Sequence, residues 1–217
     1  MKIHKKLPSR YISCIFAVRK YLKMPPYKRL VVFASGNGSN AEAIIRFFKQ
    51  GQVARVVKVY SNKADAYVLT RAKQLGVSTQ VFSKKSFTEN TTVFLDTLKD
   101  LNPDYIVLAG FLLKIPELIV EAFPNKIINI HPALLPKYGG KGMYGMHVHE
   151  AVCKAQEKHS GITIHFVNEA YDEGAIIFQA KIPLEKGETP DSLASKIHAL
   201  EHMHYPKVIA KLLETTP

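Results

Sequence analysis

Apolar residues along the chain occur in turn as short continuous runs and at helical spacing, and this alternation predicts strands that alternate with helices. The continuous apolar run over residues 30–34 is typical of a strand buried on both faces. After it, Ser39 or Asn40 can cap a helix that ends at Gly51. The apolar residues predicted for the buried face of this helix are Ala43, Ile44, Phe47 and Phe48.

The same two spacings continue through the rest of the sequence. Further strands are expected over residues 53–60, 77–82, 105–109, 126–130, 162–168 and 175–184. Helices are expected over 65–75, 87–101, 147–159 and 191–213, the last interrupted at Pro206. The short connection 172–174 favours an antiparallel final pair of strands. This order predicts an α/β fold with a doubly wound, mostly parallel sheet and an antiparallel C-terminal extension.

The positive charge is concentrated in the first 29 residues. Of the 30 Lys and Arg residues, nine lie in this segment, and none of the 18 acidic residues does. We expect a basic, disordered extension over 1–29, with Met24 as an alternative start, and a single domain over 30–217. An organellar transit peptide is the alternative, whereas the short apolar stretch before Arg19 disfavours a secretory signal. The nearly neutral remainder argues against a nucleic-acid partner, and no segment is apolar enough to span a membrane.

The cysteines and paired histidines do not predict a metal site. Cys14 and Cys153 form neither a disulfide framework nor a zinc spacing, which suits a reducing cytoplasm. The pairs at residues 147 and 149 and at 202 and 204 lie in predicted helices, where residues two apart do not share a face. We therefore expect His147 and His149 to pack around a neighbouring loop.

Asn129 and His131 close the strand that precedes a Pro-rich loop. Residues two apart in a strand point to the same face, so the amide and the imidazole should project side by side. An amide can donate to a developing oxyanion, and an imidazole can move a proton near neutral pH. The pair suits acyl or formyl transfer, although both side chains could instead only pair with backbone groups.

A glycine-rich loop, Ser-Gly-Asn-Gly-Ser-Asn-Ala over residues 35–41, follows the first strand. Strand, loop and helix in this order collect free backbone N–H groups at a helix N-terminus, which can bind an anion. A dinucleotide site would need an acidic residue at the end of the second strand, but the first one there is Asp65. We predict that Gly38, Ser39 and Asn40 hold a single phosphate, with a tight structural turn as the alternative.

With the Asn129–His131 pair and the glycine-rich loop, residues 30–213 resemble the folate-dependent phosphoribosylglycinamide formyltransferase family of purine synthesis. The motifs that carry the resemblance are residues 35–40, 61–66, 108–111, 129–132 and 134–138, and Glu201-His202 before Tyr205-Pro206. The resemblance implies a Rossmann-like fold with a phosphate-binding half over 30–130 and a catalytic and folate-binding half over 131–217. The implied reaction moves the formyl group of 10-formyltetrahydrofolate to the amine of glycinamide ribonucleotide. The alternative is a related formyltransferase, or a formyl-folate hydrolase, that acts on another acceptor.

Roles for individual residues follow from this resemblance. Asn129 would stabilise the oxyanion, and His131 would be the general acid–base group, kept charged by Asp172. The ribonucleotide would contact Gly38, Ser39, Asn40, His198, Ala199, Leu200 and Glu201. The folate co-substrate would contact Asn90, Leu112, Leu113, Lys114, Ile115, Asn129, Asn168, Glu169, Ala170, Tyr171 and Asp172. No metal, nucleic acid or membrane partner is implied, and we expect a cytoplasmic monomer or weak homodimer.

Three features depart from the family pattern. Asn90 stands where an arginine often contacts the folate glutamate tail, so recognition of the tail should be weaker or depend on Lys84 or Lys85. Leu112-Leu113 replaces a common Met-Arg pair. The segment 139–145 contains four glycines, which suggests a mobile lid over the site.

Overall fold

A seven-stranded sheet organises residues 27–51 and 53–215, the part of the chain that the computed structural model describes. The strands lie in the order β3-β2-β1-β4-β5-β6-β7. Strands β1 to β5 are parallel, whereas β6 and β7 are antiparallel to their neighbours, which confirms the predicted sheet. Their bounds are β1 Lys28–Phe33, β2 Ala54–Ser61, β3 Thr79–Val81, β4 Tyr105–Leu108, β5 Ile127–His131, β6 His159–Phe166 and β7 Ile176–Pro183.

Helices cover both faces of this sheet. They are α1 Ser39–Gln50, α2 Tyr67–Gln74, α3 Lys84–Glu89, α4 Thr91–Leu101, α5 Glu117–Ala122, α6 Met146–Lys154 and α7 Pro190–Thr215. Alternate residues of β1 pack against the helices on the two faces of the sheet. Leu30 and Val32 pack with α1, α2, α6 and α7. Val31 and Phe33 pack with α3, α4 and α5. The continuous apolar run predicted a strand buried on both faces, and the structure confirms it.

Two predicted helices differ from the observed ones. The predicted interruption at Pro206 was wrong, because α7 runs unbroken from Pro190 to Thr215. A proline removes only one helical N–H donor, and here its ring is buried against the core, which offsets that loss. The predicted helix over 87–101 is two helices, α3 and α4, separated by Asn90 at φ −111° and ψ 38°.

Smaller corrections concern the ends of elements. Strand β1 begins at Lys28 rather than residue 30, because the Arg29 backbone N–H donates to Asp104 and ties this segment to the sheet. Residues 1–26 of the predicted extension lie outside the described residues. Helix α6 ends at Lys154, and His159 already belongs to β6. Phe47, predicted to be buried, is 40% exposed. The six-residue helix α5 was not predicted.

Buried polar side chains fix the strand ends that carry the candidate site. The Tyr205 hydroxyl of α7 donates to the carbonyls of Leu108 and Ile128, at 3.0 and 3.1 Å, and so ties α7 to β4 and β5. The Thr163 hydroxyl donates to the Ala133 carbonyl at 2.7 Å and accepts from the Leu135 N–H at 3.0 Å. These bonds hold the Pro-rich loop that follows His131 in one place.

Candidate active site

One cavity lies at the carboxyl ends of β1, β4 and β5, where ligands bind in sheets of this kind. Its volume of about 560 Å³ suits a small-molecule ligand. The cavity wall includes the predicted catalytic residues Asn129, His131 and Asp172. Asn129 and His131 both face it from β5, as their spacing in the strand predicted.

Asp172 joins the catalytic side chains. It lies in the loop between β6 and β7 with a left-handed backbone, φ 57°, and its side chain is 11% exposed. Oδ2 accepts from the Gly140 N–H at 3.0 Å and lies 3.5 Å from His131 Nδ1. Oδ1 lies 3.6 Å from His165 Nε2 and 3.5 Å from Asn129 Nδ2. One carboxylate therefore contacts the amide and two imidazoles.

The carboxyl group of Asp172 is held in its ionised form. Burial raises its pKa, but His165, the charge of His131 and the Gly140 N–H together lower it further, so that the pKa lies below its usual range. The site therefore contains a buried negative charge at neutral pH.

His131 is almost completely buried, and this reverses a prediction. Burial lowers its pKa more than Asp172 and the Tyr138 carbonyl raise it, so the pKa lies below its ordinary value. The sequence predicted a raised pKa, and the net direction is the opposite because burial disfavours the charged form more than Asp172 favours it. Nε2 lies 2.7 Å from the Tyr138 carbonyl, which can only accept, so Nε2 carries the proton. Nδ1 then faces the Asp172 carboxylate and is the ring nitrogen that can take up or release a proton.

Sequence reasoning missed His165, which completes this group. It lies on β6 directly opposite Asn129 in the antiparallel register. Its Nδ1 donates to the Phe166 carbonyl at 2.8 Å, and its Nε2 lies 3.2 Å from the Asn129 amide nitrogen. His165 Nε2 therefore lies beside both the Asn129 amide and the Asp172 carboxylate, and it helps to orient that amide. Pairing of β5 with β6 would have placed it, but their register could not be derived from the sequence.

The predicted phosphate loop forms a second wall of the cavity, at the end of β1, and β4 lies between it and β5. Gly38 precedes α1 with φ 79°, and no side chain caps the first turn of this helix. A Cβ on Gly38 would lie 2.4 Å from Val68 side-chain atoms, so both space and conformation require glycine. The backbone N–H groups of the loop and the positive end of α1 meet at the cavity, which suits an anion.

Asn40 and Glu201 connect this loop to α7. The Asn40 amide donates to Glu201 Oε2 at 2.8 Å, and Glu201 is only 5% exposed. Burial raises the pKa of the Glu201 carboxyl, although Asn40 and His198 oppose the shift. The side-chain oxygen of Asn40, Oδ1, is buried without a hydrogen-bond partner among the described residues. The structure thus brings together the phosphate loop and the Glu201 end that the resemblance assigned to the ribonucleotide.

Not every predicted contact residue faces the cavity. Leu112, Leu113, Lys114, Ile115, Asn168, Ala170, Tyr171, Ser39 and His198 belong to its wall. Asn90 is exposed at the junction of α3 and α4, and Ala199 is exposed on α7. Leu200 packs against the core, and Glu169 lies near Glu117 and Glu121 on the surface. The predicted contacts of Asn90, Glu169, Ala199 and Leu200 are therefore not brought to the cavity in this conformation.

The glycine-rich segment and α6 close one side. Gly140, Lys141, Gly142, Met143, Tyr144 and Gly145 line the cavity. His147 stacks on Tyr144 with ring centroids 5.2 Å apart, while His149 is 2% exposed in the cavity wall. Burial, with smaller contributions from His198 and His131, lowers the pKa of His149 to about 4. The predicted packing around this loop is confirmed for His147, and His149 lies in the wall of the same cavity.

Comparison with known proteins identifies the family. The model of the formyl transferase family matches residues 28–209. The chain belongs to the formyl transferase family. It is 40% identical over 195 residues to a chloroplastic phosphoribosylglycinamide formyltransferase of Arabidopsis thaliana, a match that covers 88% of this chain and 67% of that protein.

Bacterial members of the family are similar over most of their length. The phosphoribosylglycinamide formyltransferase of Escherichia coli is 36% identical over 185 residues, covering 83% of this chain and 85% of the relative. The crystal structure of glycinamide ribonucleotide transformylase 1 from Geobacillus kaustophilus has a TM-score of 0.79 at 37% identity, covering 86% of this chain and 99% of that one. Within the described residues, no helix has the length and apolar character needed to cross a membrane.

Proposed function

We propose that this protein transfers the formyl group of 10-formyltetrahydrofolate to the amine of glycinamide ribonucleotide. The products are formylglycinamide ribonucleotide and tetrahydrofolate, as a step of purine biosynthesis. The observation that carries the proposal is a single cavity with a phosphate loop on one wall and the group of Asn129, His131 and Asp172 on another. Membership of the formyl transferase family supports it.

The acceptor is oriented by the loop and by α7. The phosphate binds the N–H groups of Gly38, Ser39 and Asn40, at the positive end of α1. Glu201, fixed by Asn40, accepts from the hydroxyl groups of the ribose. The glycinamide amine then points toward β5, because the loop and the catalytic group line the same cavity. Leu112, Leu113 and the loop around Tyr171 hold the pterin of the folate between them.

The chemical step needs an oxyanion donor and a proton carrier. The amine attacks the formyl carbon, and the carbonyl oxygen of the tetrahedral intermediate accepts from the Asn129 amide. The 3.5 Å contact between Asn129 Nδ2 and Asp172 leaves one amide hydrogen weakly held and available for that oxyanion. His131 Nδ1 takes the proton from the attacking nitrogen and returns it to folate N10 as the carbon–N10 bond breaks. The ionised Asp172 stabilises the imidazolium that forms in between.

A formyl-transfer assay tests this proposal. The unmutated protein should form tetrahydrofolate only when glycinamide ribonucleotide is present, which separates transfer from hydrolysis of the formyl-folate. His131→Ala should lower kcat by about a hundredfold or more, because the proton carrier is lost. His147→Ala, a change at an exposed ring two residues before His149, is the matched control and should retain activity. Absence of transfer by the unmutated protein, or full activity of His131→Ala, would contradict the mechanism.

We also propose that the protein acts on these small molecules as a monomer or weak homodimer in the cytoplasm. The low cysteine content supports a reducing compartment. Sedimentation velocity at assay concentrations should show mostly monomer, and a stable higher oligomer would contradict this.

A further inference from the structure

Arg71 lies behind the phosphate loop, where its guanidinium group holds Asn37. Nε donates to the Asn37 backbone carbonyl at 3.0 Å, and Nη2 donates to Asn37 Oδ1 at 2.8 Å. Nη1 pairs with the carboxylate of Glu42 in the first turn of α1. Asn37 lines the cavity, whereas Arg71, on α2, is not part of its wall. Arg71 therefore contacts the loop from the side opposite the ligand.

These contacts fix the direction of two peptide groups. The N–H of Val68, also on α2, donates to the carbonyl of Gly36 at 3.1 Å. The carbonyls of Gly36 and Asn37 thus both point toward α2. In a trans peptide, the N–H points opposite to the carbonyl. The N–H groups of Asn37 and Gly38 consequently point away from α2, toward the cavity that these residues line.

Arg71 also changes the charge around the loop. Its hydrogen bond, followed by that of Arg46, holds the pKa of the Glu42 carboxyl below the usual range. An ionised carboxylate one turn from a phosphate would repel it, and the guanidinium offsets this charge. A cation bonded to the Asn37 carbonyl also polarises that peptide group, which makes the Gly38 N–H a stronger donor.

We propose that Arg71 is a positioning residue for the phosphate of the acceptor. It holds Asn37 so that the N–H groups of Asn37 and Gly38 point at the anion, without itself contacting the ligand. The identity of the acceptor rests on the proposed function, whereas the hold on the loop applies to any phosphate monoester. The two statements can therefore be tested separately.

Steady-state kinetics of Arg71→Met test the positioning role. The KM for glycinamide ribonucleotide should rise about tenfold or more, because charge-assisted hydrogen bonds to the loop are lost. The KM for 10-formyltetrahydrofolate should stay unchanged. Arg46→Met is the matched control, because Arg46 pairs with the same Glu42 at 2.7 Å but is 61% exposed and has no contact with Asn37. A rise in KM of the same size in the control, or none in Arg71→Met, would overturn the proposal.

Binding of inorganic phosphate gives a readout that does not need turnover. The apparent Kd, taken from the dependence of Tm on phosphate concentration, should rise about tenfold in Arg71→Met and little in Arg46→Met. Arg71→Lys keeps the charge but not the planar fork, so it should also bind phosphate more weakly. If Arg71→Met does not fold, Arg71→Lys and Asn37→Ala decide, and unchanged binding in both would overturn the proposal.

The two assays also separate this inference from the proposed function. A protein that binds phosphate through Arg71 but does not formylate glycinamide ribonucleotide would contradict only the proposed function. A protein that formylates it, yet keeps its KM and its phosphate affinity when Arg71 is changed, would contradict only the positioning role. No phosphate binding by the unmutated protein would also overturn the inference.

Discussion

The two walls of the cavity use different parts of the polypeptide. The phosphate loop presents backbone N–H groups, and its shape depends on Gly38 and on bonds from α2. The second wall presents the side chains of Asn129, His131 and Asp172, and the pKa values of the last two depend on burial and on each other. A backbone site is sensitive to conformation and space, whereas a side-chain site is sensitive to protonation. The first should control binding and stability, and the second should control the rate of the chemical step.

The largest expected effect comes from removing the charge of Asp172. Asp172→Asn keeps the size of the side chain but cannot stabilise a protonated His131, so kcat should fall about a hundredfold or more. The KM for glycinamide ribonucleotide should stay within about threefold, because the phosphate loop is untouched. Steady-state kinetics measure both, and Glu173→Gln at the exposed neighbouring residue is the control. A raised KM with a normal kcat would show that the two walls are not separate in function.

A methyl group in the loop should have the next largest effect, on folding. Gly38→Ala places a Cβ 2.4 Å from Val68 atoms at φ 79°, and should lower the free energy of unfolding by roughly 3 kcal/mol. Urea denaturation measures this change. Gly36→Ala is the matched control, because a Cβ there meets no atom within 4 Å. Equal losses in both variants would contradict the special role of Gly38.

The smallest expected effect concerns His149, which borders both walls. Burial, then the charges of His198 and His131, lower its pKa to about 4 from 6.5 in the unfolded chain. The unfolded chain therefore takes up the proton at higher pH, and the folded protein loses stability as the pH falls from 6.5 toward 4. The loss is roughly 2–3 kcal/mol.

His149→Gln cannot take up this proton, so its stability should fall less steeply over the same pH range. Chemical denaturation at several pH values measures the slope. His147→Gln, at an exposed position on the same helix, should keep the slope of the unmutated protein. Identical slopes for His149→Gln and the unmutated protein would show that His149 is not the group responsible.

The contrast between the walls also explains how much the sequence could predict. The phosphate loop lies within one strand, turn and helix, so its local sequence pattern was sufficient to predict this order of elements. Asn129 and His131 share a strand, and their alternation placed them on one face. Asp172 and Glu201 could be assigned only through the family resemblance, because nothing local distinguishes them from a turn residue and a helical carboxylate. His165 was missed because its role depends on the register between two distant strands.

Errors arose where packing outweighs local preference. The charge state of His131 was predicted from its neighbour Asp172, but burial has the larger effect on its pKa, and burial cannot be obtained from the residues on either side. The helix break expected at Pro206 does not occur because the ring is buried in the core. At Asn90 the error is of the opposite kind. The sequence predicted one continuous helix, but Asn90 lies between α3 and α4 and separates them.

The hydrogen bond between Asn40 and Glu201 joins two residues that are 161 positions apart in the sequence. The ribosome synthesises a chain at about 5–20 residues per second, so α1 leaves it long before α7 does. For roughly 10 s or more, a nascent chain can form the phosphate loop while Asn40 still lacks its carboxylate partner. The bond between Asn40 and Glu201 therefore forms only after α7 has been synthesised, and an incomplete chain lacks this link between the two ends of the sequence.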